Sequence, residues 1–457
     1  MNLSAGTILK TGNWEEARNA EGKFPKFSDR AWTQGKTMKH KTETLVIGGG
    51  AIGICCAFYL NRLGKNVAVI EKGEICSGSS YGNAGLIVPS HSIPLAAPGV
   101  IAQGLKWMFN PASPFYIKPR FQRDFLSWLW KFSRACTENN VRRGLPVLSD
   151  LISASLELFD ELASIEDIDF NYEKNGVVLI YKTPKELDKG VKDAQRLQEY
   201  GIESQVLENK DLTPYTPGMQ TCAVGGIFFP QDAQLIPDRF VNHLARHIED
   251  RGVRLLTSAE VLEFETFDRK VTTVKTTRGN ISVEEVILAG GSWSVDLARE
   301  LDIKLWMQPA KGYSVTFKRP PVCPVIPFMM AETKVVLTPM DDMLRFAGTL
   351  ELAGFDMSIN KRRLQAILKT VPDYFPDFDL NALELIEIWR GLRPCSPDGL
   401  PYLGRPHRYD NVIIATGHGM KGISLAPITG KIVSQLAVNE QPQIDLTALS
   451  VERFGPH

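Results

Sequence analysis

Apolar and polar positions follow two periods along this chain. Residues 44–47 and 67–70 are short, unbroken apolar runs, the pattern of strands buried on both faces. Between them Ile54, Ala57, Phe58, Leu60 and Leu63 recur at helical spacing, so the segment reads strand, helix, strand. The same reading predicts strands over 177–182, 252–256, 261–264, 271–276, 281–288 and 412–415. It predicts helices over 147–165, 185–200, 239–251, 360–371 and 426–437. The expected class is α/β, built around a Rossmann-like domain. At 457 residues there is room for a second domain, and the strand pattern leaves and rejoins the first.

The first strand–helix junction carries candidate chemistry. It reads Gly48-x-Gly50-x-x-Gly53. Gly48 allows a tight turn, Gly50 lets a pyrophosphate approach the backbone, and Gly53 lets the helix pack closely on the strand. Ala51 and Ile52 open the helix, whose free N–H groups and positive dipole end suit phosphates. Glu71, followed by Lys72, ends the second strand. A carboxylate there accepts hydrogen bonds from a ribose diol and repels a 2′-phosphate, which argues against NADP. Downstream, Ser79, Ser80, Asn83, Ala84 and Gly85 belong to a loop of small and hydroxyl residues that can wrap a pyrophosphate. Val261 is expected, by position, to present its backbone to the adenine. Gly290 ends a buried strand, where backbone can come close to a nucleotide. A last glycine turn, with Gly417, His418, Gly419, Gly422 and Ile423, precedes the final helix and predicts a second anion site.

Composition narrows the field. Fifty-two Lys and Arg balance fifty-two Asp and Glu, so nothing points to a nucleic-acid partner. The seven cysteines are scattered without ligand-like spacing, which predicts no metal and reduced thiols in a cytoplasmic setting. Residues 1–41 are polar, lack the apolar core of a secretory signal and carry Glu15, Glu16, Glu21 and Asp29, so they read as a flexible or loosely docked extension. An aromatic-rich stretch over 107–132 is interrupted by Pro111, Pro114 and Pro119. It reads as core between helices. The alternative is contact with a membrane surface or a lipid-soluble electron acceptor, a quinone or respiratory-chain component, with the protein peripheral on the inner face of the cell membrane.

The βαβ unit with Glu71, the serine-rich loop ending Asn83-Ala84-Gly85, the Ala97-Pro98-Gly99 and Lys106-Trp107-Met108-Phe109 stretches, Gly391-Leu392-Arg393-Pro394 with Pro397-Asp398-Gly399, and Ala415-Thr416-Gly417-His418-Gly419 belong together. The combination resembles the FAD-dependent amine oxidoreductases of the D-amino-acid oxidase superfamily. Within it the chain is most similar to the bacterial D-amino-acid dehydrogenases of the small-subunit type, over about residues 43–445. The resemblance implies an FAD-binding domain from 42–90, 216–300 and 386–445. It implies an α+β substrate domain with an antiparallel sheet from 91–215 and 301–385, and a tail over 446–457. It also implies oxidative deamination of D-amino acids, D-proline-type imino acids included, by hydride transfer to flavin N5, with electrons passed to an acceptor other than oxygen. An oxidase of the same fold using oxygen, and a non-catalytic flavin-binding subunit of a complex, are the alternatives.

Residue by residue, the resemblance places Arg393 on the substrate carboxylate, as a bidentate partner. His418 falls near the flavin pyrimidine edge, or is a loop histidine. Tyr313 faces the substrate or packs the sheet, and Arg345 is a second pocket cation or a strand-edge ion pair. Relatives that attach flavin covalently use a histidine where this chain has Gly82 and Asn83, or a cysteine farther from the Pro-Asp pair than Cys395 is. FAD is therefore expected to be noncovalent. Glycine-oxidising relatives carry a basic residue where this chain has Met420, ahead of Lys421, which speaks against glycine as substrate.

Overall fold

The computed structural model describes residues 25–27, 40–108 and 113–455. Most of the expected extension, and Phe109 and Pro111 of the aromatic stretch, lie outside the described residues. Phe27, inside that extension, is buried in the core cluster that also takes in the helix Ala51–Arg62, and the first strand already begins at His40. The described part of the extension is therefore docked.

Among the described residues two large sheets, beside a two-stranded pair, organise the chain. The first has eight strands. Its centre is parallel: Ile47 is in register with Ile70 on one side and Leu288 on the other, and Leu288 with Ile414. Four strands thus end at one level, and the turns after them share one edge of the sheet. Val67–Ile70 and Val412–Thr416 are buried at every position, as expected of parallel strands covered by helices on both faces. The helices Ala51–Arg62, Pro237–Asp250 and Ala426–Ala437 supply part of that cover.

The second sheet has nine strands and is mainly antiparallel, with Gln308–Lys318 between Leu385–Cys395 and Met343–Leu352. Two of its strands, Gly225–Phe229 and Leu385–Cys395, come almost wholly from segments expected in the FAD-binding domain. A strand's own pattern does not say which sheet it joins. The pairing partner decides, and it lies far away in sequence.

The helix expected over 147–165 is Glu138–Ala163 and runs through Pro146. Thr137 starts it, its side chain accepting from the Asn140 N–H. That cap, ten residues ahead of the expected start, sets the boundary. The aromatic stretch divides. On Arg123–Ala135, Phe125 and Trp128 are buried, with the Trp128 indole donating to the Cys395 carbonyl at 3.0 Å. Burying one such ring contributes about 2–3 kcal/mol. Leu126 and Trp130 of the same helix stay exposed.

Candidate active site

The shared edge of the eight-stranded sheet opens into a cavity of about 1810 Å³. The site is assembled there because several strand ends, each followed by a glycine turn, converge on one line. At the first turn Gly48 has φ +120°, and a Cβ on it would lie 2.5 Å from the Ala289 carbonyl oxygen. A Cβ on Gly53 would overlap the Gly48 carbonyl oxygen. The helix therefore leaves the strand as tightly as its backbone allows. Its N-terminus faces the cavity through Gly50, Ala51 and Ile52, and has no acidic residue in the first turn. Ser80 Oγ accepts the Ala51 N–H at 3.0 Å, and Ser79 Oγ donates to the Leu392 carbonyl at 2.5 Å. The first bond holds the serine-rich loop against the helix start, and the second ties it to the strand Leu385–Cys395.

Glu71 marks one end of the cavity. Its carboxylate accepts from the Gly49 N–H at 2.7 Å and the Gly73 N–H at 2.9 Å, so its orientation is fixed by backbone. Val261 lines this end, as do Lys72 and Trp293, whose ring lies 3.7 Å from the Lys72 Nζ. Asn83, Ala84 and Gly290 line the middle. Gly53, Gly85 and Gly417 do not reach the cavity wall: Gly53 and Gly85 pack against backbone, and Gly417 turns the chain with φ +81°.

The other end holds Arg393, His418, Gly419, Gly422 and Ile423. Arg393 donates from Nη1 to the Thr349 carbonyl at 2.7 Å and has no carboxylate partner among the described residues. A Cβ on Gly312, across the strand pair, would overlap its guanidinium. Burial lowers its affinity for its proton. His418 Nε2 is 3.1 Å from Thr429 Oγ1, and burial pulls the ring down to about 3, so it is neutral.

Two expected site residues are elsewhere. Tyr313 is 1% exposed and outside the cavity, donating to Glu351 at 2.9 Å and accepting from the Asn360 N–H at 3.2 Å. Strand alternation explains this. Ala310 pairs with Arg393 and Gly312 with Gly391 on the cavity face, while Tyr313 pairs with Arg390 on the other. Arg345, also 1% exposed, donates to the Tyr81 carbonyl at 3.2 Å and the Asn83 carbonyl at 2.8 Å. It braces the serine-rich loop from behind, pairs with Glu387 at 3.6 Å and does not line this cavity.

Sequence reasoning passed over Lys421 and Trp389. Lys421 lines the cavity beside His418, is 9% exposed, and its ammonium has no hydrogen bond or ion pair among the described residues. Burial pulls its ammonium down to about 8. Its signal was its place inside the last glycine turn. Trp389 lines the cavity by the same alternation that brings Arg393 there.

This arrangement fits FAD. A glycine turn, a helix N-terminus, an oriented carboxylate and a second glycine turn follow one another along one cavity. Its volume exceeds the roughly 300–1,000 Å³ of ordinary small-molecule pockets, leaving space for a dinucleotide and a small substrate. Among the described residues there is no cluster suited to a metal ion and no helix long and apolar enough to cross a membrane.

Comparison with known proteins agrees. The D-amino acid dehydrogenase of Granulibacter bethesdensis is 31% identical over 422 residues, covering 90% of this chain and 99% of that protein. That of Vibrio atlanticus is 31% identical over 419 residues, covering 90% of this chain and 100% of that protein. Among solved structures, glycine oxidase from Geobacillus kaustophilus superposes with a TM-score of 0.74 at 22% identity, covering 91% of this chain and 99% of that one. L-proline dehydrogenase from P. horikoshii gives 0.72 at 19% identity, covering 91% and 98%. The resemblance read from the motifs and the α/β class both hold. Residues 43–436, which include nearly all of both sheets and the cavity wall, match the FAD dependent oxidoreductase family, and the chain belongs to it.

Proposed function

We propose that this chain catalyses the oxidative deamination of D-amino acids with noncovalent FAD. The observation that carries this reading is Arg393, a guanidinium with one backbone hydrogen bond and its remaining donors unpaired among the described residues, at the cavity wall. A substrate carboxylate completes it, and Lys421 adds a second positive charge at the same end. The D configuration is taken from the names of relatives about 31% identical over 90% of the chain. The first sheet and its turns form the FAD-binding part, with Glu71 on the ribose and Gly48, Gly50, Ser79 and Ser80 around the pyrophosphate. The second sheet forms the substrate part. Noncovalent binding agrees with Cys395, which is buried, does not line the main cavity and has its thiol pushed up to about 11 by burial.

When bound, FAD supplies the acceptor for the hydride that leaves the substrate α-carbon. The protein's part is positional. Arg393 and Lys421 fix the carboxylate, which fixes the α-carbon along the cavity. The amine must be neutral for its lone pair to expel the hydride, so the site must hold or remove one proton. The turn Gly417–Ile423 and the neutral His418 present N–H groups where negative charge develops.

The test is anaerobic visible absorbance of the purified protein, mixed in turn with D- and L-amino acids and with D-proline. Bleaching of the flavin band by D-amino acids is expected, with L-enantiomers inert. A yellow protein bleached by none would sink the substrate class. Admitting air then separates acceptors: peroxide at the turnover rate would indicate the oxidase, its absence a dehydrogenase.

A further part of the reading is a cytoplasmic protein, peripheral at the inner face of the membrane. The helix Val100–Met108 lines the cavity with Gln103, Lys106 and Trp107 and turns Ile101, Leu105 and Met108 outward, Leu105 being 54% exposed. Phe121 is 93% exposed, and Trp130 and Leu126 are also uncovered. An apolar surface beside the cavity suits a lipid-soluble acceptor. Cosedimentation with anionic phospholipid vesicles is expected, and Leu105→Asp should weaken it about tenfold, for one apolar side chain removed. A wild-type protein that stays in the supernatant would refute the membrane contact and leave the chemistry untouched.

A further inference from the structure

The short strand Leu86–Ile87 pairs with Ala233–Gln234, and this pairing brings the turn Pro89–His91 onto Asp232. Asp232 is fully buried. Its Oδ1 accepts the Ser90 N–H at 3.1 Å, and its Oδ2 lies 2.5 Å from Ser90 Oγ. Ser90 Oγ lies 3.0 Å from His91 Nδ1, and His91 Nε2 lies 3.3 Å from the Met329 sulfur. Ser90, His91 and Met329 line the cavity, while Asp232 stands behind them. No cation pairs with Asp232 among the described residues. Burial pushes its carboxyl up to about 7, against the two Ser90 hydrogen bonds. Burial pulls the His91 imidazole down to about 3, helped by the charges of Lys421 and Lys334.

These contacts allow two complete hydrogen-bond patterns. In one, Asp232 is ionised and accepts from the Ser90 hydroxyl, Ser90 Oγ accepts from His91 Nδ1–H, and Nε2 carries a lone pair. In the other, protonated Asp232 donates to Ser90 Oγ, the Ser90 hydroxyl donates to Nδ1, and Nε2–H donates to the weakly accepting Met329 sulfur. The patterns differ by one proton. The imidazole is neutral in both.

We propose that His91, Ser90 and Asp232 form a relay that takes the surplus proton of the substrate ammonium out of the cavity. The proposal rests on the amine-oxidation reading above. The ammonium N–H bond breaks and an Nε2–H bond forms. The Nδ1 proton passes to Ser90 Oγ, and the Ser90 hydroxyl proton passes to Asp232 Oδ2. The substrate is left as a neutral amine with its lone pair, and one buried carboxylate has been neutralised. Met329, unbranched and flexible, can move aside to admit the amine. After the iminium product has gone, the same route in reverse returns the proton to water in the cavity. Lys421 and Lys334 disfavour an imidazolium, so the proton does not stop on His91. The sequence hid this group because Ser90 and Asp232 are 142 positions apart.

Two measurements on the FAD-loaded protein test it. Anaerobic bleaching with D-alanine should lose about tenfold in rate per pH unit below about 7, because only ionised Asp232 accepts a proton. Asp232→Asn should abolish that limb and slow bleaching at least about a hundredfold above it. Ser90→Ala, a smaller change, should do the same if Asp232→Asn does not fold. Independently of turnover, infrared difference spectra across that pH range should contain a protonated-carboxyl band that Asp232→Asn removes. An unchanged limb and rate in both variants, or no such band, overturns the relay. If no amino acid bleaches the wild type, the substrate reading falls, while the infrared band still judges whether Asp232 holds the proton.

Discussion

Arg393→Met is expected to cut kcat/KM for D-amino acids by between about two and four decades while leaving the protein yellow. The arithmetic follows from the site. Among the described residues the Arg393 guanidinium has one hydrogen-bond partner, the Thr349 carbonyl at 2.7 Å, so in the proposed function the substrate carboxylate meets most of its donors. Truncating one side of a buried, hydrogen-bonded charge pair costs about 3–5 kcal/mol. At about 1.36 kcal/mol per decade, that is the stated range. Lys421 remains in the variant and keeps the loss from being total. Arg393→Lys retains the charge and loses the fork, so it should recover part of the rate but not all of it. Because the carboxylate is held in ground and transition states alike, most of the loss should appear in KM. Steady-state rates with an artificial acceptor, at matched flavin content, are the measurement. A Met variant within tenfold of wild type would remove Arg393 from the substrate site.

The pattern of what could be read in advance has a physical basis. The unit from the first strand to Glu71 was legible because its contacts are local: Gly48, Gly53 and the helix between them touch one another. The last glycine turn was legible for the same reason. Arg393 was found by resemblance, and its orientation then followed from strand parity. Tyr313 failed by that parity, since it sits one residue out of phase with the cavity face. Arg345 lies on a suitable strand, yet the Tyr81 and Asn83 carbonyls, more than 260 positions away, cover it. The sheet membership of Gly225–Phe229 and Leu385–Cys395, and the meeting of Asp232 with Ser90, depend on long-range pairing that no local pattern encodes.

Gly53→Ala tests the local part of that argument, and the expected result is a poorly folded, largely colourless protein. Helix propensity alone predicts the opposite, because alanine in a helix interior is favoured over glycine by about 1 kcal/mol. Here the added methyl would overlap the Gly48 carbonyl oxygen, an atom fixed in the backbone of the turn. Neither rotamer change nor side-chain motion relieves the overlap, so the helix must move off the strand. That displaces the Ala51 N–H from Ser80 and shifts the helix N-terminus away from the phosphate position. A cost upward of about 3 kcal/mol is expected, at the top of the range for overpacking. Gly64→Ala is the control. Gly64 has φ +76° but nothing within 4 Å of the added carbon, so only about 1 kcal/mol of conformational strain is at stake. Flavin-to-protein absorbance ratio and thermal unfolding compare the two. If Gly53→Ala kept its flavin and melted with the wild type, the junction would be looser than its geometry indicates, and the phosphate site would not depend on how tightly strand and helix join.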